Sequence, residues 1–182
     1  MGRYIALLRG VNVGGKNKIS MPQLKRDLEE RGFERVITYI NSGNVIFDSG
    51  FSEDAAKIAC ETVIFESFGL EIAVCIISAC ELREALANVP DWWNNGGESK
   101  HNAIFVIPLA GAEEVCAGVG EVKPEYERVA FYGRLIFWSA PLATFSHTRW
   151  SKVTKNKAAY NAITIRNANT ALKLLELAGE AL

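Results

Sequence analysis

The chain predicts an α+β protein: two ferredoxin-like (βαββαβ) subdomains plus a C-terminal helix. Three observations carry this reading. Strand-like and helix-like segments follow one another as βαββαβ through the first half. The same order returns in the second half, with little shared sequence, so the repeat is one of architecture. Between them lies a polar, Gly- and Asn-rich stretch with two tryptophans, "DWWNNGGESKHN". The expected division is 1–88 for the first subdomain, 89–102 for a linker, and 103–182 for the second subdomain with its terminal helix.

The elements follow from local chemistry. "YIALLRG" is a compact apolar run and reads as the first strand. "NVGGKNK" is a loop. "SMPQLKRDLEERGF" has helix grammar: Ser20 as N-cap, Gln23 three residues on, Pro22 in the first turn, Gly32 at the stop. "RVITYI" and "NVIFD" are strands joined by a tight turn at Asn-Ser-Gly. "SEDAAKIACETVIFESF" is a second helix, capped by Ser52 and ended by Gly69, and "IAVCII" is the fourth strand. A short helix, "SACELREALANVP", leads to the linker. The second half reads strand "AIFVIPL", helix "GAEEVCAGV", strands "YERVAFYG" and "RLIFWSA", a helix near "RWSKVTKNKAAYNA", strand "AITIRN" and helix "NTALKLLELAGEAL".

Composition excludes several classes. There is no apolar run long enough for a membrane span, and the N-terminus lacks the features of a signal peptide or a myristoylation site. Cys60, Cys75, Cys80 and Cys116 form no C-x-x-C pair and read as reduced thiols of a cytoplasmic protein. The two histidines, His101 and His147, are distant, so no metal site is expected, and no cofactor is implied. The net charge of −1 is unevenly spread. Residues 1–26 hold six Lys or Arg and no acid, residues 50–100 hold three basic and nine acidic residues, and residues 147–160 hold four basic and no acid. Two cationic stretches on a near-neutral chain point to an anionic partner; a solvated charged face is the plainer reading of each.

"RGVNVGGKNK" spells G-x-x-x-x-G-K from Gly10, one letter short of a phosphate-binding P-loop. Asn17 stands where Ser or Thr would bind magnesium. Ser20 and Pro22 also start the helix several residues too late, so Lys16 lies in a loop. "VIFD" superficially matches a second nucleotide motif but reads as half of a hairpin. The loop still offers anion-binding chemistry: Arg9, Lys16 and Lys18 as cations, Asn12 as an amide, and Gly14 and Gly15 for close backbone approach. Against this stands a glycine-rich turn with solvated lysines. Asn41, Ser42 and Asn44 read first as turn chemistry. In "TIRNANT", Arg166 projects from a strand, and Asn167 or Asn169 could cap the last helix.

These stretches resemble the signature blocks of a bacterial family, domain-of-unknown-function family 1697. The blocks are an R-G-[IV]-N-V-G-G-K-N-K opening, Y-x-x-S-G-N-V-x-F, and a closing R-N-W-N-T. The match is close over residues 4–48 and extends over nearly the whole chain, including a Ser-Lys pair at Ser151 and Lys152. Ala168 departs from it by replacing the Trp of the third block. The resemblance implies two ferredoxin-like subdomains and no established activity. Its blocks supply the candidate ligand-binding set: Arg9, Asn12, Gly14, Gly15, Lys16, Lys18, Asn41, Ser42, Asn44, Lys152, Arg166, Asn167 and Asn169. The 10–18 loop and the 42–44 turn are expected at opposite ends of one sheet, so that a site using both would run across the sheet or be completed by the other subdomain.

Three functions are compatible with these residues. The favoured one is binding of an anionic ligand, a nucleic acid or a nucleotide, through the RGVNVGGKNK loop and the RNANT segment. Ferredoxin-like sheets carry stacking aromatics in RNA-binding domains, and Phe131, Tyr132, Phe137 and Trp138 lie on adjoining strands, although no RNA-binding signature is present. The second is an enzyme acting on a small phosphorylated or carboxylated substrate, with Arg9, Lys16, Lys152 and Arg166 as clamps and no acid–base set in view. The third is an interaction module with Trp92 and Trp93 as exposed anchors, unless those rings fill space between the subdomains.

Overall fold

A computed structural model describes residues 1–179. The chain divides into two compact units, one of Met1–Glu84 with the stretch from Lys173, the other of Ala85–Leu172. In chain order the elements are β1 (Gly2–Leu8), α1 (Met21–Glu30), β2 (Glu34–Tyr39), β3 (Asn44–Ser49), α2 (Glu53–Phe68), β4 (Val74–Ser78), α3 (Ala79–Ala87), β5 (Ser99–Val106), α4 (Ala112–Val119), β6 (Arg128–Tyr132), β7 (Leu135–Pro141), α5 (Lys157–Asn161), β8 (Ile163–Asn167) and α6 (Ala168–Leu177). Each unit has one four-stranded antiparallel sheet, in the order β2-β3-β1-β4 and β6-β7-β5-β8. That is the ferredoxin-like order in both, so the chain is an α+β protein of two ferredoxin-like units.

The helix ends form where the side chains dictate. The Ser20 hydroxyl accepts from the Gln23 N–H at 3.4 Å, and the Ser52 hydroxyl from the Ala55 N–H at 3.3 Å. Gly69 closes α2 in the left-handed region, φ +66°, its N–H donating to Phe65 O. Between helices and sheet, the first unit packs a core that includes Leu24 and Leu28 of α1, Cys60 and Ile64 of α2, and Phe47 of β3. Phe33 meets Phe47 edge-on at 4.6 Å. The six residues of β3 are all buried, so this central strand is covered on both faces.

The second unit departs from expectation in two places. β5 starts at Ser99, four residues before the apolar run, because the polar Lys100, His101 and Asn102 still pair with Ala140, Ser139 and Trp138 of β7. The segment near "RWSKVTKNKAAYNA" is not one helix. It forms 3-10 turns at Leu142–His147 and Trp150–Lys155, then the short α5. Side chains compete with the helix there: Thr148 Oγ1 accepts from the Ser151 N–H at 3.1 Å, and Asn156 Oδ1 caps Ala159 at 3.1 Å, restarting the chain. Trp150 and Val153 reach the core, where Trp138 and Trp150 lie 6.3 Å apart. No helix of the described residues is long and apolar enough to cross a membrane.

Candidate functional site

In the first unit the chain leaves β1 at Leu8 and returns to α1 through a small hairpin arm. Val13 and Lys16 pair as an isolated antiparallel bridge, with the Lys16 N–H donating to Val13 O at 3.1 Å. Gly14 and Gly15 are its tip, at φ +58° and +76°, the geometry a two-residue type I′ turn demands. A Cβ on either would meet nothing within 4 Å, so these glycines serve backbone conformation. Asn12 and Asn17 are also left-handed, at φ +54° and +47°.

Asn12 holds the arm. Its Nδ2 donates to Ile19 O at 3.0 Å and to Asn41 O at 2.8 Å, while its Oδ1 accepts from the Ile19 N–H at 2.9 Å. Asn17 Nδ2 donates back to Gly10 O at 3.0 Å. Both amides are thus spent on shaping the loop. Arg9 is half-buried, and Lys16 and Lys18 are exposed.

The loop and the β2–β3 turn are neighbours, which corrects the expectation that they lie at opposite ends of the sheet. β1 runs antiparallel to β3, pairing Leu7 with Asn44, so the end of β1 meets the start of β3. The Leu8 N–H donates to Gly43 O at 2.8 Å. Gly43 sits at φ +78°, and a Cβ there would lie 2.5 Å from Val11 Cγ2 and 2.7 Å from Leu8 Cβ, so glycine is required twice over. Asn44 is fully buried and donates to Tyr39 O and Ser42 Oγ, each at 3.1 Å. The turn reading of Asn41, Ser42 and Asn44 matches this geometry: Asn41 lends its carbonyl to Asn12, and Ser42 and Asn44 close the turn.

In the second unit, Arg166 is buried and donates to Thr164 Oγ1 and Ile165 O, both at 2.9 Å. Asn167 caps α6, its Oδ1 accepting from the Thr170 N–H at 2.7 Å. Asn169 is exposed and lines a cavity of about 330 Å³ with Asn94, Lys100, Asn102 and the buried Ala168. Lys152 is exposed and lines a different concavity, of about 740 Å³, with Lys123, Arg149, Lys155, Glu121 and Glu125. Arg149 there is largely committed: its Nε lies 3.1 Å from Glu127 Oε1, and its Nη1 donates to Cys116 O and Gly120 O. Trp93 is not an exposed anchor. It is buried, its Nε1 donating to Asn102 O at 2.8 Å and its ring packing edge-on against Phe137. Phe137 and Trp138 are core residues, whereas Phe131 and Tyr132 are exposed.

Sequence reading missed a third cluster. His101 Nδ1 lies 2.6 Å from Ser139 Oγ, and Nε2 lies 3.2 Å from Gly96 O. Both side chains line a cleft of about 520 Å³ that also includes Trp92, Tyr126, Arg128 and Pro141. The signal available beforehand was slight, since 38 residues separate the pair.

Two titrating groups are strongly shaped by the fold. Asp48 of "VIFD" is buried between Arg3, at 3.0 Å, and Arg35. Burial alone would raise its pKa, but the hydrogen bonds and charges of Arg35 and Arg3 hold it below the usual carboxylate range. Its oxygens are therefore used within the fold. Burial pushes the Cys60 thiol up to about 12, with the nearby Glu61 charge adding to the effect. Among the described residues no group of three or more His, Cys, Asp or Glu is placed to hold a metal ion.

Comparison with known proteins agrees with this architecture. A family model described as "Protein of unknown function (DUF1697)" matches residues 1–137. Among solved structures, a conserved bacterial protein from Streptococcus pneumoniae is 31% identical, with a TM-score of 0.86, the match covering 97% of this chain and 98% of that one. No curated protein matches the chain.

Proposed function

We propose, from the premise that the chain belongs to the DUF1697 family of proteins of unknown function, that its first unit binds an anionic partner, a single-stranded nucleic acid. The observation that carries this is the tethered arm. Asn12 fastens the 10–18 loop to the β2–β3 turn, and the arm presents Lys16 and Lys18 to solvent, with the half-buried Arg9 preceding it in the chain. Residues 1–26 carry six Lys or Arg and no acid, so this stretch of chain is itself strongly cationic. Exposed cations carried on a hairpin arm suit a backbone of repeated phosphates better than an enclosed small ligand. The RNANT segment contributes less to this reading, since Arg166 and Asn167 make bonds within their own unit.

Fluorescence anisotropy with a labelled single-stranded oligonucleotide tests it. Three phosphate contacts give a log–log salt slope of about −2 between about 50 and 200 mM salt, and Lys16→Ala/Lys18→Ala reduces that slope by about 1.4. No binding at the low-salt end, or an unchanged slope in the double variant, refutes the reading.

One observation favours the small-ligand alternative: the Lys152 concavity of about 740 Å³ gathers Lys123, Lys152 and Lys155, with Glu121 and Glu125 on its rim. Titration calorimetry with inorganic pyrophosphate decides it. Heat lost in Lys152→Ala and little affected by salt supports a pocketed anion, and absence of heat refutes it.

A further inference from the structure

The sheet of the second unit sets three side chains of complementary chemistry in one row. Ser139 on β7 has His101 of β5 as its register partner on one side and Arg128 of β6 on the other. Residues directly opposite in antiparallel strands project from the same face, about 5 Å apart. The row lines the 520 Å³ cleft, with Trp92 and Tyr126 on its wall.

The hydrogen bonds fix the histidine's protons. Gly96 O is a carbonyl and can only accept, so Nε2 carries the hydrogen at 3.2 Å. In the neutral ring Nδ1 then holds the lone pair, and it faces Ser139 Oγ at 2.6 Å. The serine hydroxyl therefore donates to an imidazole whose orientation a third group maintains. Nucleophile, base and orienting acceptor are the parts that activate a serine in unrelated hydrolases. A purely structural cross-strand bond needs neither the second ring nitrogen nor an adjoining cleft. Arg128 is the cation of the row, opposite Ser139 in the register and lining the same cleft, and positive charge there would favour a developing oxyanion.

We propose that this cleft is a serine-hydrolase site for carboxylic esters, with Ser139 as nucleophile, His101 as general base and acid, and Arg128 as oxyanion stabiliser. Ser139 Oγ bonds to the ester carbonyl carbon as its proton passes to His101 Nδ1. The tetrahedral intermediate collapses by breaking the bond to the alkoxy oxygen, which leaves as the alcohol with the proton from His101. Water then attacks the acyl-serine, giving one proton to His101, and the carboxylic acid departs as that proton returns to Ser139 Oγ. The only co-reactant is water.

A fluorophosphonate probe tests the site on the full chain. Ser139 Oγ bonds to phosphorus, fluoride leaves, and the intact mass rises by one adduct. We expect that adduct on the peptide containing Ser139. It is lost in Ser139→Ala, and labelling slows about 100-fold in His101→Gln and in Arg128→Gln. Each variant's thermal transition is recorded alongside. If Ser139→Ala does not fold, the mapped position of the wild-type adduct and the His101→Gln rate still decide. A folded wild type that takes no adduct, takes it elsewhere, or is labelled equally fast without the imidazole overturns the assignment.

Discussion

Replacing Asn12 by Ala removes three hydrogen bonds at one stroke: two with the Ile19 backbone and one with Asn41 O, between 2.8 and 3.0 Å. These bonds are half-exposed, so water recovers part of each, and about 0.5–1 kcal/mol apiece gives a loss of about 2 kcal/mol. Ala must also adopt the left-handed φ of +54°, which adds about 1 kcal/mol. The expected total is about 3 kcal/mol, or about 6–12 °C in melting temperature for a chain of this size. Asn12→Gly separates the terms: it keeps the backbone conformation and loses only the bonds, so it should retain about 1 kcal/mol of the difference. Urea unfolding of the three proteins measures both. Hydrogen exchange at the Ile19 amide, which donates to Asn12 Oδ1, reports the local effect and should accelerate in both variants. A combined loss below about 1 kcal/mol with unchanged Ile19 protection would show that Asn12 does not fasten the arm, and the tethering argument fails with it.

Three further outcomes follow from the same geometry. Gly43→Ala should cost about 2–5 kcal/mol, from its left-handed φ and its overlap with Val11 and Leu8, whereas Gly14→Ala should cost about 1–2 kcal/mol from φ alone; equal losses in urea would contradict this. Asp48 has a depressed folded pKa, so its contribution is present above the unfolded value of about 3.8 and is lost as pH falls through the lower folded value. The stability gap between wild type and Asp48→Asn should therefore narrow on acidification, and parallel pH profiles would refute the ion-pair account. With iodoacetamide at about pH 8, the exposed Cys80 should react in the native protein, while Cys60, its thiol pushed up to about 12, should react only after unfolding. Mass spectrometry of the alkylated peptides reads this order directly.

Much of the fold was legible because the relevant signals are local. Ser20 and Ser52 announced two helix starts, Gly69 announced a stop, and the Asn-Ser-Gly turn announced a hairpin. Where polar residues continue a strand, the signal fails: Lys100, His101 and Asn102 resemble linker, and only their partners on β7 make them sheet. A helix was expected near "RWSKVTKNKAAYNA", but Thr148 and Asn156 redirect the backbone through side-chain bonds that a pattern of residue types does not weigh. The candidate site was half legible. Composition located the cations of the arm, yet which end of the sheet each loop occupies depends on strand direction, and that placed Asn12 beside Asn41. The His101–Ser139 pair depends on register alone, so no spacing rule could reveal it.

The tip of the Val13–Lys16 arm ends in open space, with nothing within 4 Å of a Cβ added at Gly14 or Gly15. Its anchoring bonds sit behind it, at Asn12 and Asn17. Lengthening the tip therefore leaves those anchoring bonds in place, so the tip can vary in length separately from the architecture behind it. The same separation makes it a practical insertion point, where a short epitope or a dye-bearing residue would report on whatever approaches that end of the sheet.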